Sequence, residues 1–214
     1  MGYVSFSIPK DIVLAFRDKG GLKNFIETGT FKGGTSFWAG QHFDKVYTIE
    51  IDPEISKATA SNPACPPNIT FLVGNSKDVL PELLTKIKSP SLFWLDGHWC
   101  GVSDFGKDME CPLMDELRAL KNFSDSVILI DDARAFLGPL PPPHENNQWP
   151  RIDEIFLLLK SQFPQHFVTI SDDVIYCIPP DLIQVFDDAW ITNYDERFKS
   201  TTGMVSKITR KLFG

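Results

Sequence analysis

The chain has 214 residues, 43% of them hydrophobic and 23% charged, which fits one ordinary globular domain and excludes a disordered chain, a coiled coil or a collagen-like repeat. Lys and Arg number 21 against 28 Asp and Glu, and the net charge of -7 argues against a protein whose main task is gripping nucleic-acid phosphates. Cys65, Cys100, Cys111 and Cys177 form no CxxC pair, the N-terminus has no basic start before an apolar stretch, and no apolar run approaches the ~20 residues of a membrane helix, so free thiols in a reducing cytoplasm are expected.

Strand and helix alternate along the chain. Residues 24–28 read as a short buried strand, followed by glycines and a helix over 35–41. Residues 45–51 (KVYTIEI) form a second strand and 53–60 a helix opened by proline in its first turn. Residues 69–73 (ITFLV) are a third strand, after which Ser76 is placed to cap a helix running to about Lys88. Residues 91–95 (SLFWL) give a fourth strand, 113–120 a helix with apolar positions at 113, 114, 117 and 120, and 127–130 (VILI) a fifth strand. After a helix over 152–162, the segments 166–170 and 174–178 join through SDD as a tight hairpin. The expected fold is α/β, a seven-stranded, mostly parallel sheet with a C-terminal antiparallel hairpin and helices on both faces. Residues 1–180 are expected to form this domain and 181–214 a helical extension, helical over 181–190 and basic from Arg197 onward.

Between the first strand and its helix lies Glu27-Thr28-Gly29-Thr30-Phe31-Lys32-Gly33-Gly34-Thr35-Ser36. A G-x-G-x-x-G dinucleotide fingerprint starting at Gly29 needs glycine at 31, where Phe31 stands, so NAD is disfavoured. Glu27 would repel a phosphate and suits a ligand with a cationic head, such as the ammonium and sulfonium of S-adenosylmethionine. Glu50 ends the second strand, about 20 residues on, where open α/β sheets place a carboxylate for ribose hydroxyls. Asn75 and Ser76, after the third strand, are placed to read an adenine edge. Each feature alone has a structural alternative: glycines serving only a turn, Glu50 capping the helix at Pro53, Ser76 capping its own helix. Together, at three strand ends on one sheet edge, they favour a nucleoside pocket holding Glu27, Gly29, Thr30, Gly33, Thr35, Ser36, Glu50, Ile51, Asn75, Ser76 and Asp96.

Asp96 ends the fourth strand and Asp131-Asp132 the fifth. Neighbouring strands lie about 5 Å apart, so these three carboxylates are expected to converge at the same edge, where their repulsion calls for a counter-charge such as Mg²⁺. The alternative is that they cap loops and bind backbone N–H groups. His98 follows in GHWCG as a candidate general base or a structural hydrogen bonder. Cys100 has no basic partner but His98 and is a poor nucleophile candidate; His42, His144 and His166 are scattered and expected to have no role. The long loops 97–111 and 133–150 flank these strand ends; Trp99, Phe105, Phe136 and Trp149 are placed to wall an acceptor pocket, or merely to pack loop on sheet, and Arg134 to bind an acidic group.

The runs FIETGTFKGGTS, VYTIEIDPE, FLVGNSKDVLPELL, FWLDGHW and LIDD together resemble the class I S-adenosylmethionine-dependent methyltransferases, in particular metal-dependent O-methyltransferases of the catechol type, across residues 24–178. Macrocin-type sugar O-methyltransferases share a similar pattern. The resemblance implies a Rossmann-like domain, S-adenosylmethionine and Mg²⁺ as cofactors, Asp96, Asp131 and Asp132 as metal ligands, and Asp96 and His98 as catalytic groups. It also implies methylation of a hydroxyl on a small molecule or sugar, without nucleic acid or a membrane span, and leaves room for a homodimer. A non-catalytic nucleoside-binding module of the same fold is the other reading. In the catechol enzymes a lysine directly follows the His-Trp pair and serves as base; here Cys100 stands there and Gly97 is additional, so the base falls to His98 or to the metal acting alone.

Overall fold

The computed structural model describes residues 7–101 and 104–192. A helix α1 (Lys10–Gly20) precedes the alternation β1 (Asn24–Thr28), α2 (Gly34–Gly40), β2 (Lys45–Glu50), α3 (Pro53–Ala60), β3 (Ile69–Val73), α4 (Ser76–Leu84), β4 (Ser91–Leu95), α5 (Leu113–Ala119) and β5 (Val127–Ile130). Then come α6 (Ile152–Gln162) and the hairpin β6 (Phe167–Ser171) and β7 (Val174–Ile178). Residues 183–192 are helical. The basic stretch expected from Arg197 onward lies outside the described residues.

The seven strands make one sheet in the order β3-β2-β1-β4-β5-β7-β6, parallel from β3 to β5 and antiparallel at β7 and β6, as expected. β1, β4, β5 and β7 are buried at every position, as strands covered on both faces must be, while β3 and β6 at the margins are largely uncovered. Side chains alternate between two cores with the period of two that a strand imposes. Ile26, Phe93, Leu95, Ile128 and Ile130 pack with Leu80, Leu117 and Leu159 of α4, α5 and α6. Phe25, Leu92, Trp94, Val127 and Leu129 pack on the other face with Phe16 of α1, Ala39 of α2, and Leu182 and Phe186. The first described part of the C-terminal extension therefore belongs to the core. Among the described residues no helix is long and apolar enough to cross a membrane.

Register brings the functional strand ends level. Thr28 pairs with Ile49 on one side and Leu95 on the other, and Leu95 pairs with Ile130, so Gly29, Asp96 and Asp131 emerge side by side. The sheet reverses its winding between β1 and β4, the crevice where open α/β sheets hold ligands.

Several local readings need correction. Helix α1 is additional: Ile12, Val13 and Phe16 form its buried stripe, and left-handed Gly21 stops it. Asn75, not Ser76, caps α4, its side chain accepting from the Lys77 amide, and α4 ends at Leu84 rather than near Lys88. The hairpin turn is Asp172-Asp173, both with positive φ as a two-residue turn of matching twist requires.

Candidate active site

The loop after β1 is held from beneath and from the side. Beneath it, Glu27 is buried and accepts hydrogen bonds from the Ser36 and Thr48 hydroxyls, each at 2.6 Å. Burial outweighs those two bonds and pushes its pKa up to about 7. At the side, the Phe31 amide donates to Glu50 Oε2 at 2.8 Å and the Thr59 hydroxyl donates to the Phe31 carbonyl at 2.7 Å, fixing Phe31 at a φ of 45°. Gly29 has a φ of 86°, and a Cβ there would run into the Asp96 carbonyl, so only glycine lets the loop cross the end of β4 so closely.

Glu50 also accepts from the Asp52 amide at 3.0 Å, while Asp52 itself caps α3 through the Glu54 and Ile55 amides. The capping alternative for Glu50 thus falls to Asp52. Each Glu50 oxygen keeps a lone pair for a hydroxyl donor.

A cavity of about 250 Å³ lies over these strand ends. Of the residues singled out in the sequence, Gly29, Glu50, Ile51, Asn75, Ser76, Asp96 and His98 line it, together with Trp99, Cys100 and Phe105 from the loop after β4. Glu27, Thr30, Gly33, Thr35 and Ser36 are not among its lining residues; they build the loop beneath, where Thr30 and Thr48 share a 2.6 Å hydroxyl bond.

At the far end of the cavity the carboxylate cluster differs from expectation in one member. Ligand atoms of Asp96, His98 and Asp132 lie within 4.8 Å of one another, whereas Asp131 faces a separate small cavity. Asp131 Oδ1 accepts from the Asp132 amide at 2.8 Å, and a φ of 54° at Asp132 re-aims the chain, so consecutive aspartates part. His98 Nε2 lies 3.5 Å from Asp96 Oδ1. Arg134 Nη1 is 2.9 Å from Asp132 Oδ1 and also pairs with Asp173. The counter-charge that the aspartates need is therefore partly supplied by the chain itself.

Titration follows from this packing. Burial opposes charge on His98, but the hydrogen bond to Asp132 and the charges of Asp96 and Asp132 outweigh it and hold the imidazole at about 9. Asp96 sits well above the usual carboxylate range, chiefly through burial, with relief from His98 and repulsion from Asp131 and Asp132. Asp132, bonded to His98 and paired with Arg134, is held below it. Two carboxylates and an imidazole form a chemically sensible donor set for a divalent cation, and the imidazole shifts the preference from Mg²⁺ toward Mn²⁺, Fe²⁺ or Zn²⁺.

Sequence reasoning missed the clasp beside this cluster. Glu110 is buried and accepts from Trp149 Nε1 at 2.6 Å, the Glu145 amide at 3.0 Å and His144 Nδ1 at 3.0 Å, tying the loop before α6 to the loop before α5. His144, expected to have no role, lies with its ring centroid 5.4 Å from Trp99 and 5.5 Å from Trp149, and Trp149 lies 5.4 Å from His98.

No protein-family model and no curated protein matches the sequence. Solved structures do match. The O-methyltransferase TomG of Streptomyces achromogenes, involved in tomaymycin synthesis and crystallised with S-adenosylmethionine, is 18% identical, with 82% of each chain covered and a TM-score of 0.52. An O-methyltransferase from Bacillus cereus, bound to S-adenosylhomocysteine, is 15% identical over 81% of this chain and 82% of its own, with a TM-score of 0.54. Human methyltransferase-like protein 13, also with S-adenosylhomocysteine, is 14% identical over 82% of this chain and 87% of its own, with a TM-score of 0.51. With the sheet order and the crevice between β1 and β4, these similarities show that the chain has the Rossmann-like fold of the class I S-adenosylmethionine-dependent methyltransferases.

Proposed function

We propose that the protein is an S-adenosylmethionine-dependent O-methyltransferase acting on a hydroxyl of a small molecule or sugar, with a divalent cation held by Asp96, His98 and Asp132. The observation that carries this reading is one continuous cavity in which Gly29, Glu50 and Asn75, suited to a nucleoside, lead to Asp96 and His98. Related folds crystallised with S-adenosylmethionine or its product support the choice of cofactor. Four free cysteines fit the cytoplasmic setting proposed for it.

Glu50 holds the ribose, its carboxylate kept in place by the Phe31 and Asp52 amides. Buried Glu27 supports the loop beneath the crevice by accepting from the Ser36 and Thr48 hydroxyls. A divalent cation at the aspartates would act as a Lewis acid that lowers the acceptor hydroxyl's pKa. Asp132 and Asp96 hold His98 with Nε2 turned into the cluster, where that nitrogen, once it has released its own proton, serves as a ligand or takes the acceptor's proton. Trp149 and Trp99 wall the approach and exclude water, so methyl transfer from sulfur to oxygen proceeds largely by positioning.

The test is product formation from S-adenosylmethionine with a panel of catechols and sugars, with and without EDTA and with Mg²⁺ or Mn²⁺ restored. Turnover that stops on chelation and returns with the ion is expected. Activity untouched by chelation removes the cation, and S-adenosylhomocysteine binding without transfer to any acceptor leaves a nucleoside-binding module.

A further inference from the structure

We propose that Glu116 is a positioning residue for His98, acting through one buried water lodged between His98 Nδ1 and Glu116 Oε1. The inference rests on His98 being the working group of the proposed methyl transfer, and it explains what holds the back of its ring.

Behind the strand ends lies a second cavity, lined by Gly97, His98, Cys111, Glu116 and Asp131 among others. It offers about 10 Å³ to a water's centre, the space of a single water molecule. Two of its lining residues carry buried polar atoms with no hydrogen-bond partner among the described residues, Nδ1 of His98 and Oε1 of Glu116. Buried polar atoms are almost always paired, by protein or by ordered water, and leaving one unpaired costs about 1–3 kcal/mol. The rest of the lining is mostly apolar, with Leu95, Leu113, Ile130 and Phe136, so one water placed between these two atoms is what satisfies both.

The chemistry of the two atoms is complementary. The Asp132 carboxylate can only accept, so His98 Nε2 donates to it; Nδ1 then donates to the water in the charged ring and accepts from it in the neutral one, and one water serves both. A carboxylate oxygen accepts. In the charged ring the chain runs from Nδ1–H to the water oxygen and from a water hydrogen to Oε1; when Nε2 gives up its proton, the chain keeps the remaining one on Nδ1 and leaves Nε2 as the face that ligates or acts as base. Glu116 is buried beside Thr28, whose hydroxyl receives the Asp96 amide at 3.2 Å. Gly97 provides the room. A Cβ at that position would stand 3.1 Å from Glu116 Oε1 and 3.0 Å from the Thr28 hydroxyl, so the glycine before His98 gives Glu116 its place beside the histidine.

The experiment combines a high-resolution crystal structure of the wild type with ¹⁵N spectra of histidine-labelled wild type, Glu116→Gln and Glu116→Leu, the His98 signal being assigned with His98→Gln. An ordered water within hydrogen-bond distance of both atoms, and a protonated, hydrogen-bonded His98 Nδ1, are expected in the wild type. Glu116→Gln retains both, whereas Glu116→Leu shifts the Nδ1 resonance and lowers kcat by about 10–100-fold. A merely structural Glu116 would weaken cofactor binding and leave that resonance unmoved, which overturns the proposal, as does a wild-type cavity without ordered water. If Glu116→Leu does not fold, the wild-type water and the Glu116→Gln spectrum decide. If the wild type methylates no acceptor, the enzymatic reading fails, while water and resonance still test the link between the two residues.

Discussion

His98 Nε2 lies 2.9 Å from Asp132 Oδ2, joining the loop after β4 to the loop after β5. The other Asp132 oxygen is engaged by Arg134. Asp132→Asn should therefore lower methyl transfer by roughly 10²-fold or more, the range of a lost acid–base or ligand group. Asp132 does not line the cofactor cavity, so calorimetry should find S-adenosylhomocysteine binding unchanged. Full turnover in this variant would remove the His98–Asp132 pair from the chemistry.

The same cluster should take up one Mn²⁺, observable by electron paramagnetic resonance. Asp96→Asn and Asp132→Asn should abolish that binding, and Asp131→Asn should retain it because the Asp131 carboxylate faces elsewhere. His98, held at about 9, must release its proton to ligate, so affinity should rise by up to about tenfold per pH unit on approach to that value. Loss of binding in Asp131→Asn would restore the three-aspartate set.

Glu27 should give the fold a pH-dependent stability. Its folded pKa of about 7 lies above the ordinary 4.5, so between these values the native state keeps a proton that the unfolded chain has lost. Stability contributed by Glu27 is complete below about pH 4.5, falls as pH rises, and levels off above about 7. The total is about 3 kcal/mol at most. Urea unfolding at pH 5 and pH 8 should show a smaller difference for Glu27→Gln than for the wild type, and equal differences would mean that Glu27 is not held neutral.

Gly29→Ala should cost more than a surface change, because a Cβ meets the Asp96 carbonyl and the φ of 86° disfavours any side chain. A loss of about 2 kcal/mol or more in unfolding free energy, with weakened cofactor binding, is expected. Wild-type stability in this variant would show that the loop passes β4 at a greater distance.

Trp149→Phe should loosen the clasp without emptying the aromatic wall, since it deletes only the 2.6 Å bond to Glu110. KM for the acceptor should rise while cofactor affinity holds. The reverse pattern would place Trp149 on the cofactor side.

The strand ends were legible because each is a short apolar run stopped by Gly, Glu or Asp, and those signals need no tertiary knowledge. That Asp131 turns away from Asp96 and Asp132 was not legible, because it depends on the left-handed backbone of Asp132, a conformation that aspartate adopts only in context. Helix α1 had its stop signal in Gly21 but buries only three residues, too short a stripe to stand out. Glu110, His144 and Trp149 meet across 34 and 39 residues of irregular chain, where no periodicity announces a partner.

The winding reversal between β1 and β4 divides labour along the polypeptide. Residues 29–76 supply the Gly29, Glu50 and Asn75 side of the crevice, whereas the His98–Asp132 pair and the Trp149 clasp come from residues 96–149. Under the proposed function, grafting the two later loops from a protein of the same fold should change which molecules are admitted while the proposed nucleoside seat stays intact, a separability that would make this scaffold a host for loop exchange.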